Sequence, residues 1–468
     1  MELEEQSAVS LQEKRIFTEY PVPRAAAAMI LPTIVSQIIF VIYNLADTWY
    51  VGLTENADMV AAISLCLPVY TLLSAVSNLF GIGGASVIAR ALGNRNPRQA
   101  RQAVAVSVWG AVGVAVVYAV VLLLLRRPLL MLIGGDSGDI GYAVTYVTWT
   151  IVIGGIPTIL ATTLGHLVRS AGMAKKASFG MILGAVLNIG LDPLLMFVLL
   201  PPGNEVLGAA MATAISNGVA LCYFLLLLWR NRQGSIFTLH PAMLRHGGKA
   251  LREIFFCGLP GFCMVALAML SNCFLNSMLA TMGSEAVAGL GIVRKIDQLA
   301  YAVNQGVTQG MLPLVAYNYA IGNHKRMWSI TGFCAACSEI FSLLCMAVSL
   351  LFAPQLVSVF IRDTATVAFG ASFLRVLCLA IPIYTVTFVV IALLQAMGKS
   401  GPPFLLSILH KGTLDIALLF LIGRLFGMEQ ILWATPISEA VALMAALVML
   451  VFLFKKMKRG TSAKGETT

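Results

Sequence analysis

Val104–Leu125 reads VAVSVWGAVGVAVVYAVVLLLL, a run without one charged side chain. At about 1.5 Å of helical rise per residue it reaches across the roughly 30 Å hydrocarbon layer of a bilayer. Arg101 lies just before it and Arg126-Arg127 just after, so the run stops where water would begin. Phe341–Phe352 repeats the pattern later in the chain. The whole composition agrees: 59% of residues are hydrophobic and 11% are charged, against about 25% charged in soluble domains. A mean hydropathy of +0.88 leaves no room for a soluble globular reading.

Working outward from that run, the apolar segments predict an all-α integral membrane protein with twelve transmembrane helices. Their expected bounds are 25–52, 60–90, 102–125, 141–169, 177–200 and 207–229, then 254–282, 286–320, 327–353, 367–397, 402–423 and 430–454. The second six echo the first. Leu31-Pro32 recurs as Leu259-Pro260, Gly93-Asn94 as Gly322-Asn323, Ile156-Pro157 as Ile381-Pro382, and Ala171-Gly172-Met173 as Met397-Gly398-Lys399. The order is kept and the offset is nearly constant, close to half the chain. Six is an even number, so both halves start on the same side. The expected arrangement is two six-helix bundles, 25–229 and 254–454, related by a pseudo-two-fold along the membrane normal.

Charge sets the expected orientation. With both termini in the cytoplasm, the loops holding Arg90, Arg95, Arg98, Arg101, Arg169, Lys175, Lys176, Lys325, Arg326 and Lys399 all fall inside. So do a tail at 1–24, a basic linker at 230–253 and a tail at 455–468, leaving only Arg126, Arg127, Arg362 and Arg424 outside. That is the positive-inside pattern, with both termini expected on the cytoplasmic side of the membrane. The formal charge of +10 is therefore an orientation signal and gives no reason to expect nucleic acid. Residues 1–24 are polar and lead into a full span, so no cleavable signal is expected. The nine cysteines lie almost all within spans and read as packing residues, and Cys334-x-x-Cys337 has no second pair to make a metal site. Gly398-Lys399-Ser400 resembles the end of a phosphate loop, but Leu393 stands where its leading glycine belongs. No nucleotide or other cofactor is expected, and the energy must come from an ion gradient or a partner protein.

Six acids fall inside spans: Asp47, Asp192, Asp297, Glu339, Asp415 and Glu439. An acid at a helix centre costs about 2.5–3.5 kcal/mol on insertion scales, so each needs a partner or a cavity. Arg294 precedes Asp297 by three residues and Lys411 precedes Asp415 by four, spacings that allow pairing on one helix face. Glu439 stands beside Ser438, and Glu339 has no evident partner. Asp47 and Asp192 differ, because no basic residue is expected inside the first six spans. Such a carboxylate binds a cation, takes a proton, or alternates between the two. Asn188 shares the face of Asp192 one turn away, and Pro193 deprives a backbone carbonyl of its donor. With a hydroxyl such as that of Thr213, Asp47, Asn188 and Asp192 would supply oxygens suited to a hard monovalent cation such as Na+.

At these positions the chain resembles the multidrug and toxin extrusion (MATE) transporters, in the bacterial branch of MepA- and DinF-type pumps. The resemblance covers about residues 20–455. It rests on Ala62-Ile63-Ser64-Leu65-x-Leu67-Pro68, Asn78-Leu79-Phe80-Gly81, Leu187-Asn188-Ile189-x-Leu191-Asp192-Pro193, Pro313-Leu314-Val315-Ala316-Tyr317-Asn318 and Leu394-Gln395-Ala396-x-Gly398. It implies a two-lobed helical protein that exports organic cations and drugs in exchange for H+ or Na+. It also implies a coupling site at Asp47, Asn188 and Asp192, with Thr213 as a looser match. MepA-type pumps resemble the chain over more of its spans but commonly lack the first-helix acid. The acids that the NorM-type branch carries on its seventh and tenth helices are missing here.

Tyr43, Met264, Gln309 and Gln395 are expected around a pliable substrate cavity for small organic cations, in a monomer surrounded by lipid. For Gln309 and Gln395 a plain interhelical hydrogen bond is the alternative. A flippase of an amphipathic lipid or lipid-linked sugar would need several cavity cations, and only Arg294, Lys295, Arg375 and Lys411 offer themselves. A membrane-embedded enzyme is not expected: no HExxH or GxSxG pattern occurs, and His166 and His410 stand alone.

Overall fold

The computed structural model describes residues 15–134, 138–231 and 236–465, which are all-α with no strand among them. Inside hydrocarbon every backbone N–H and C=O must be satisfied within its own segment, and helices achieve this. We number the long helices α1 Val22–Gly52, α2 Ala57–Gly93, α3 Pro97–Leu132, α4 Ile140–Ile153 with Gly155–Ser170, α5 Ala174–Leu199 and α6 Glu205–Arg230. The second half holds α7 Gly248–Met282, α8 Ser284–Ala320, α9 His324–Leu351, α10 Thr364–Leu377 with Ala380–Ala396, α11 Gly401–Phe426 and α12 Gln430–Met457. Among the described residues nine are apolar enough to cross a bilayer, and eleven are when α4 and α10 each count as one bent span. The twelfth, α8, is long enough but carries Arg294, Lys295 and Asp297. Leu124, Val198, Ile340 and Leu351 are each more than two-thirds exposed, as lipid-facing side chains are.

The sequence echoes become matching backbone features. Both α4 and α10 are broken, by 48° and 43°. Each break lies just ahead of an Ile-Pro pair, Ile156-Pro157 or Ile381-Pro382, where proline withholds an N–H from the preceding turn. Both helices also end on a glycine in the left-handed region, Gly172 at φ +91° and Gly398 at φ +73°. In each case the next residue reaches back five positions: Met173 N to Val168 O, and Lys399 N to Leu394 O. Arg169 and Gln395 are therefore equivalent positions in the two halves. Asn96 and Asn323 likewise cap the helices that follow the echoed Gly-Asn loops, accepting from Gln99 N and Arg326 N.

The halves meet where the basic loops cluster. On α2, a Cβ at Gly83 would stand 2.1 Å from Ile254 O of α7; on α7, one at Gly258 would stand 1.8 Å from Leu79 O of α2. Gly306 and Gly310 of α8 lie the same way against Ile34 and Ile30 of α1. Ser86 Oγ donates to Gln395 O at 2.5 Å, and Gln395 Nε2 donates to Cys257 O at 3.1 Å, so α2, α7 and α10 are stitched together. The buried apolar clusters that join the halves draw on this end alone, through residues such as Met29, Ile30, Ala85 and Ala89. Beyond it the halves keep separate cores.

Two segments outside the spans are tied down. In the tail, Phe17 stacks on Tyr317 at 4.7 Å, and its carbonyl accepts from Asn318 Nδ2 and Arg326 Nε, fastening the start of the chain to the second half. In the linker, Leu239 O accepts from Trp109 Nε1 and Met243 O from Gln102 Nε2, strapping it to α3. Gly234 of the linker and residues 1–14 of the tail lie outside the described residues.

Replacing Gly258 by alanine is expected to wedge the halves apart. Overpacking of this kind costs about 1–3 kcal/mol, so Gly258→Ala should lower the melting temperature of the detergent-purified protein. Gly113→Ala, which meets nothing within 4 Å, should not. Equal melting of the two variants would refute the glycine contact as a fold-determining one.

Candidate functional site

In the first half α1, which carries Asp47, packs against α5, which carries Asp192. Asp192 is fully buried and Asn188 nearly so. With its amide turned to satisfy both neighbours, Asn188 Nδ2 donates to Asp192 Oδ2 at 2.9 Å and its Oδ1 accepts from Thr213 N at 3.2 Å. Thr213 Oγ1 stands 3.5 Å from the same amide end. Asp47 Oδ1 is buried without a partner. Pro193 leaves Ile189 O without its helical donor, and the chain then widens into a π-turn over Leu194–Leu199. Asn188, Asp192 and Thr213 are thus in contact, and Asp47 stands on α1, the helix packed against α5. No three His, Cys, Asp or Glu side chains gather into a metal cluster among the described residues. Any cation here would depend on neutral oxygens as well as the two carboxylates.

Between the halves lies a cavity of about 300 Å3. Tyr43, Tyr70, Asn78, Asn188 and Asn217 line it from the first half, and Gln298, Tyr301, Gln305 and Gln309 from the second. A smaller recess of about 50 Å3 shares Asn78, Gln305 and Gln309 with it and adds Met264 and Gln395. Tyr43, Met264, Gln309 and Gln395 therefore all lie on this connected space. Gln395 is held to Cys257 O as described, so its amide is already engaged between helices. Asp47, Asp192 and Thr213 do not reach the wall. Asn188 is the member of the set that lines the cavity.

Arg169, expected at the end of the span 141–169 and counted with the cytoplasmic loop charges, is 4% exposed on the last turn of α4 and lines both the cavity and the recess. It is the one formally charged side chain on either wall among the described residues. Its Nη1 donates to Gln309 Oε1 at 3.2 Å across the halves and to His166 Nδ1 at 3.4 Å, while its Nε has no partner. Charge counting put Arg169 in a loop because it stands beside a helix end and close to Lys175 and Lys176. The internal repeat carried the missing signal, since its equivalent is the buried Gln395.

A profile of the MatE family matches the chain twice, over residues 32–194 and 260–421, once in each half. The chain belongs to the MatE family. Two curated relatives, both described as multidrug export protein MepA, span nearly the same length. The one from Staphylococcus aureus is 27% identical over 95% of this chain and 97% of its own. The one from Staphylococcus saprophyticus is 29% identical over 90% and 92%. A crystal structure of a MATE protein in complex with MaL6 superposes with a TM-score of 0.88 at 22% identity, over 95% of this chain and 99% of that one. This MatE chain is thus a multi-pass membrane protein with the fold of solved MATE transporters.

The acids of its second half form a separate polar seam. Asp415 accepts from Ser271 Oγ and, at 3.0 Å, from Ser438 Oγ; the side chain of Lys411 lies outside the described residues. Arg294 does not take Asp297 as its partner. It donates to Asn276 Oδ1 and Asn272 O on α7, because its guanidinium points across to that helix, while Asp297 Oδ1 accepts from Tyr384 Oη at 3.1 Å. Glu439 turns to His410 on α11 and not to its neighbour Ser438, and both members of that pair are at most 1% exposed. Glu339 Oε2 is buried without a partner.

Removing one member of the His410–Glu439 pair leaves a buried polar group uncompensated. Leaving a buried hydrogen-bonding group unsatisfied costs about 1–3 kcal/mol, so His410→Phe should lower thermal stability. The double variant His410→Phe, Glu439→Leu should recover much of the loss. Additive losses in the double variant would mean that the two side chains do not act as a pair.

Proposed function

We propose that this protein is a secondary active antiporter that exports lipophilic organic cations or drugs in exchange for H+ or Na+. The observation that carries the reading is the buried cluster of Asn188, Asp192 and Thr213, joined to a central cavity through Asn188, with the unpartnered Asp47 Oδ1 on the helix packed against it. A carboxylate with no basic partner can cycle between an ion-bound and an empty state, as exchange requires. Multidrug export, the activity named for the MepA relatives, supports the cargo class. Tyr43, Tyr70 and Tyr301 offer ring faces to a lipophilic cation at the cavity wall.

On this reading the two halves rock about the glycine contacts at the basic end, so that the cavity opens to either side in turn. The reading keeps the basic loops on the cytoplasmic side of a bacterial membrane, as the positive-inside rule asks. The lipid-flippase alternative asks for a strongly basic cavity, whereas the wall here carries one guanidinium.

Purified protein in liposomes should extrude an ethidium-like cation when a H+ or a Na+ gradient is imposed, without nucleotide. ATP-dependent transport that persists after both gradients collapse would reject the proposal. Within this assay Asp192→Asn should abolish exchange, since the amide keeps the shape but cannot take or release the ion, and Asp47→Asn should weaken or abolish it. Asn188→Ala, losing one neutral oxygen, should be milder. Asp415→Asn, whose carboxylate is occupied by two serines, should retain more activity than either. Wild-type export by an Asp47→Asn, Asp192→Asn double variant expressed at normal level would move the coupling site elsewhere.

A further inference from the structure

A pump for simple cations has no evident use for a lone positive charge on its cavity wall, yet Arg169 stands there. A buried guanidinium is costly unless its donors are matched. Here Nη1 meets a neutral amide oxygen and a ring nitrogen, Nε meets nothing, and no carboxylate among the described residues lies within 4 Å. The side chain is also held in place. His166 packs beside it in space that Gly81 leaves open, where a Cβ would stand 2.6 Å from the imidazole ring. The turn of α4 that bears Arg169 is closed by Gly172.

We propose that Arg169, with Gln309, forms an anion-anchoring subsite that takes the carboxylate of a small amphiphile, so that the preferred cargo is zwitterionic. The proposal rests on the export reading above and narrows its substrate class. One guanidinium balances one negative charge, and its planar donors suit the two oxygens of a carboxylate. A phosphate dianion would leave a charge uncompensated in a dry site. The remaining wall supplies the other pole: Tyr43, Tyr70 and Tyr301 are available to an aromatic ammonium. A space of about 300 Å3 suits a drug-sized molecule and falls far short of a lipid with its chains.

A matched pair of dyes tests this: an aminoxanthene with a free benzoate, which is a zwitterion, and its methyl ester, a simple cation. In liposomes under the coupling gradient, the ratio of zwitterion to ester transport should fall about tenfold from wild type to Arg169→Gln, the usual scale for one charge-assisted hydrogen bond. Arg169→Lys should restore part of it. An unchanged ratio in Arg169→Gln would overturn the proposal, whatever happens to the absolute rates. Equilibrium dialysis of the two dyes against purified wild-type protein gives a reading that needs neither transport nor a folded variant. The zwitterion should bind about tenfold more tightly than the ester, and equal affinity overturns the subsite. If neither dye is transported by wild type, the export reading fails, and the dialysis ratio still decides whether Arg169 anchors a carboxylate.

Discussion

The fold depends on a few places where backbone touches backbone between the halves. Lipid chains are as apolar as leucine, so greasy surface gives helices in a bilayer little reason to associate. Close approach and shared hydrogen bonds must do so instead. Gly83 and Gly258 let α2 and α7 come so near that a side chain on either would collide with a carbonyl, and Gly306 and Gly310 do the same for α8 against α1. Ser86 and Gln395 add polar stitches at that end. Because these contacts stop short of the far end, the space they leave is the cavity. The same constraint thus makes the assembly and its hollow.

Much of this was legible in the sequence, for physical reasons. Long uncharged runs can only be spans, and an even number of them in each half dictates a parallel repeat. The echoed Ile-Pro and Gly pairs were visible as markers, and they turn out to be the breaks and ends of α4 and α10. The grouping of Asn188 with Asp192 followed from helical spacing alone. What escaped was anything decided by rotation about a helix axis. Sequence distance allows Arg294 to pair with Asp297, yet the guanidinium turns to α7. A serine next to Glu439 is a plausible neighbour, yet the histidine on α11 is the real one. Arg169 escaped because a positive charge near a helix end is counted as a loop charge, whereas a tightly closed last turn holds it inside.

The two halves also differ in how they keep their buried acids. In the second half Asp297, Asp415 and Glu439 meet side-chain hydroxyl or imidazole partners, and Glu339 Oε2 has none. In the first, Asp192 has one neutral amide and Asp47 has an oxygen with nothing to accept from. In the first half the unmatched acid lies on the helix packed against the one that carries the Asn188–Asp192 pair, and that pair reaches the cavity through Asn188.

The equivalence of Arg169 and Gln395 has a geometric consequence. Two copies of one backbone turn face the same space, and one offers a guanidinium where the other offers an amide already spoken for by Cys257. A perfectly duplicated chain would enclose a space with no electrical preference between its two walls. Divergence at this single paired position gives the space a permanent polarity across the pseudo-axis. A guest with separated charges would then be aligned like a compass needle, one end always toward the same half, before any part of the protein moves.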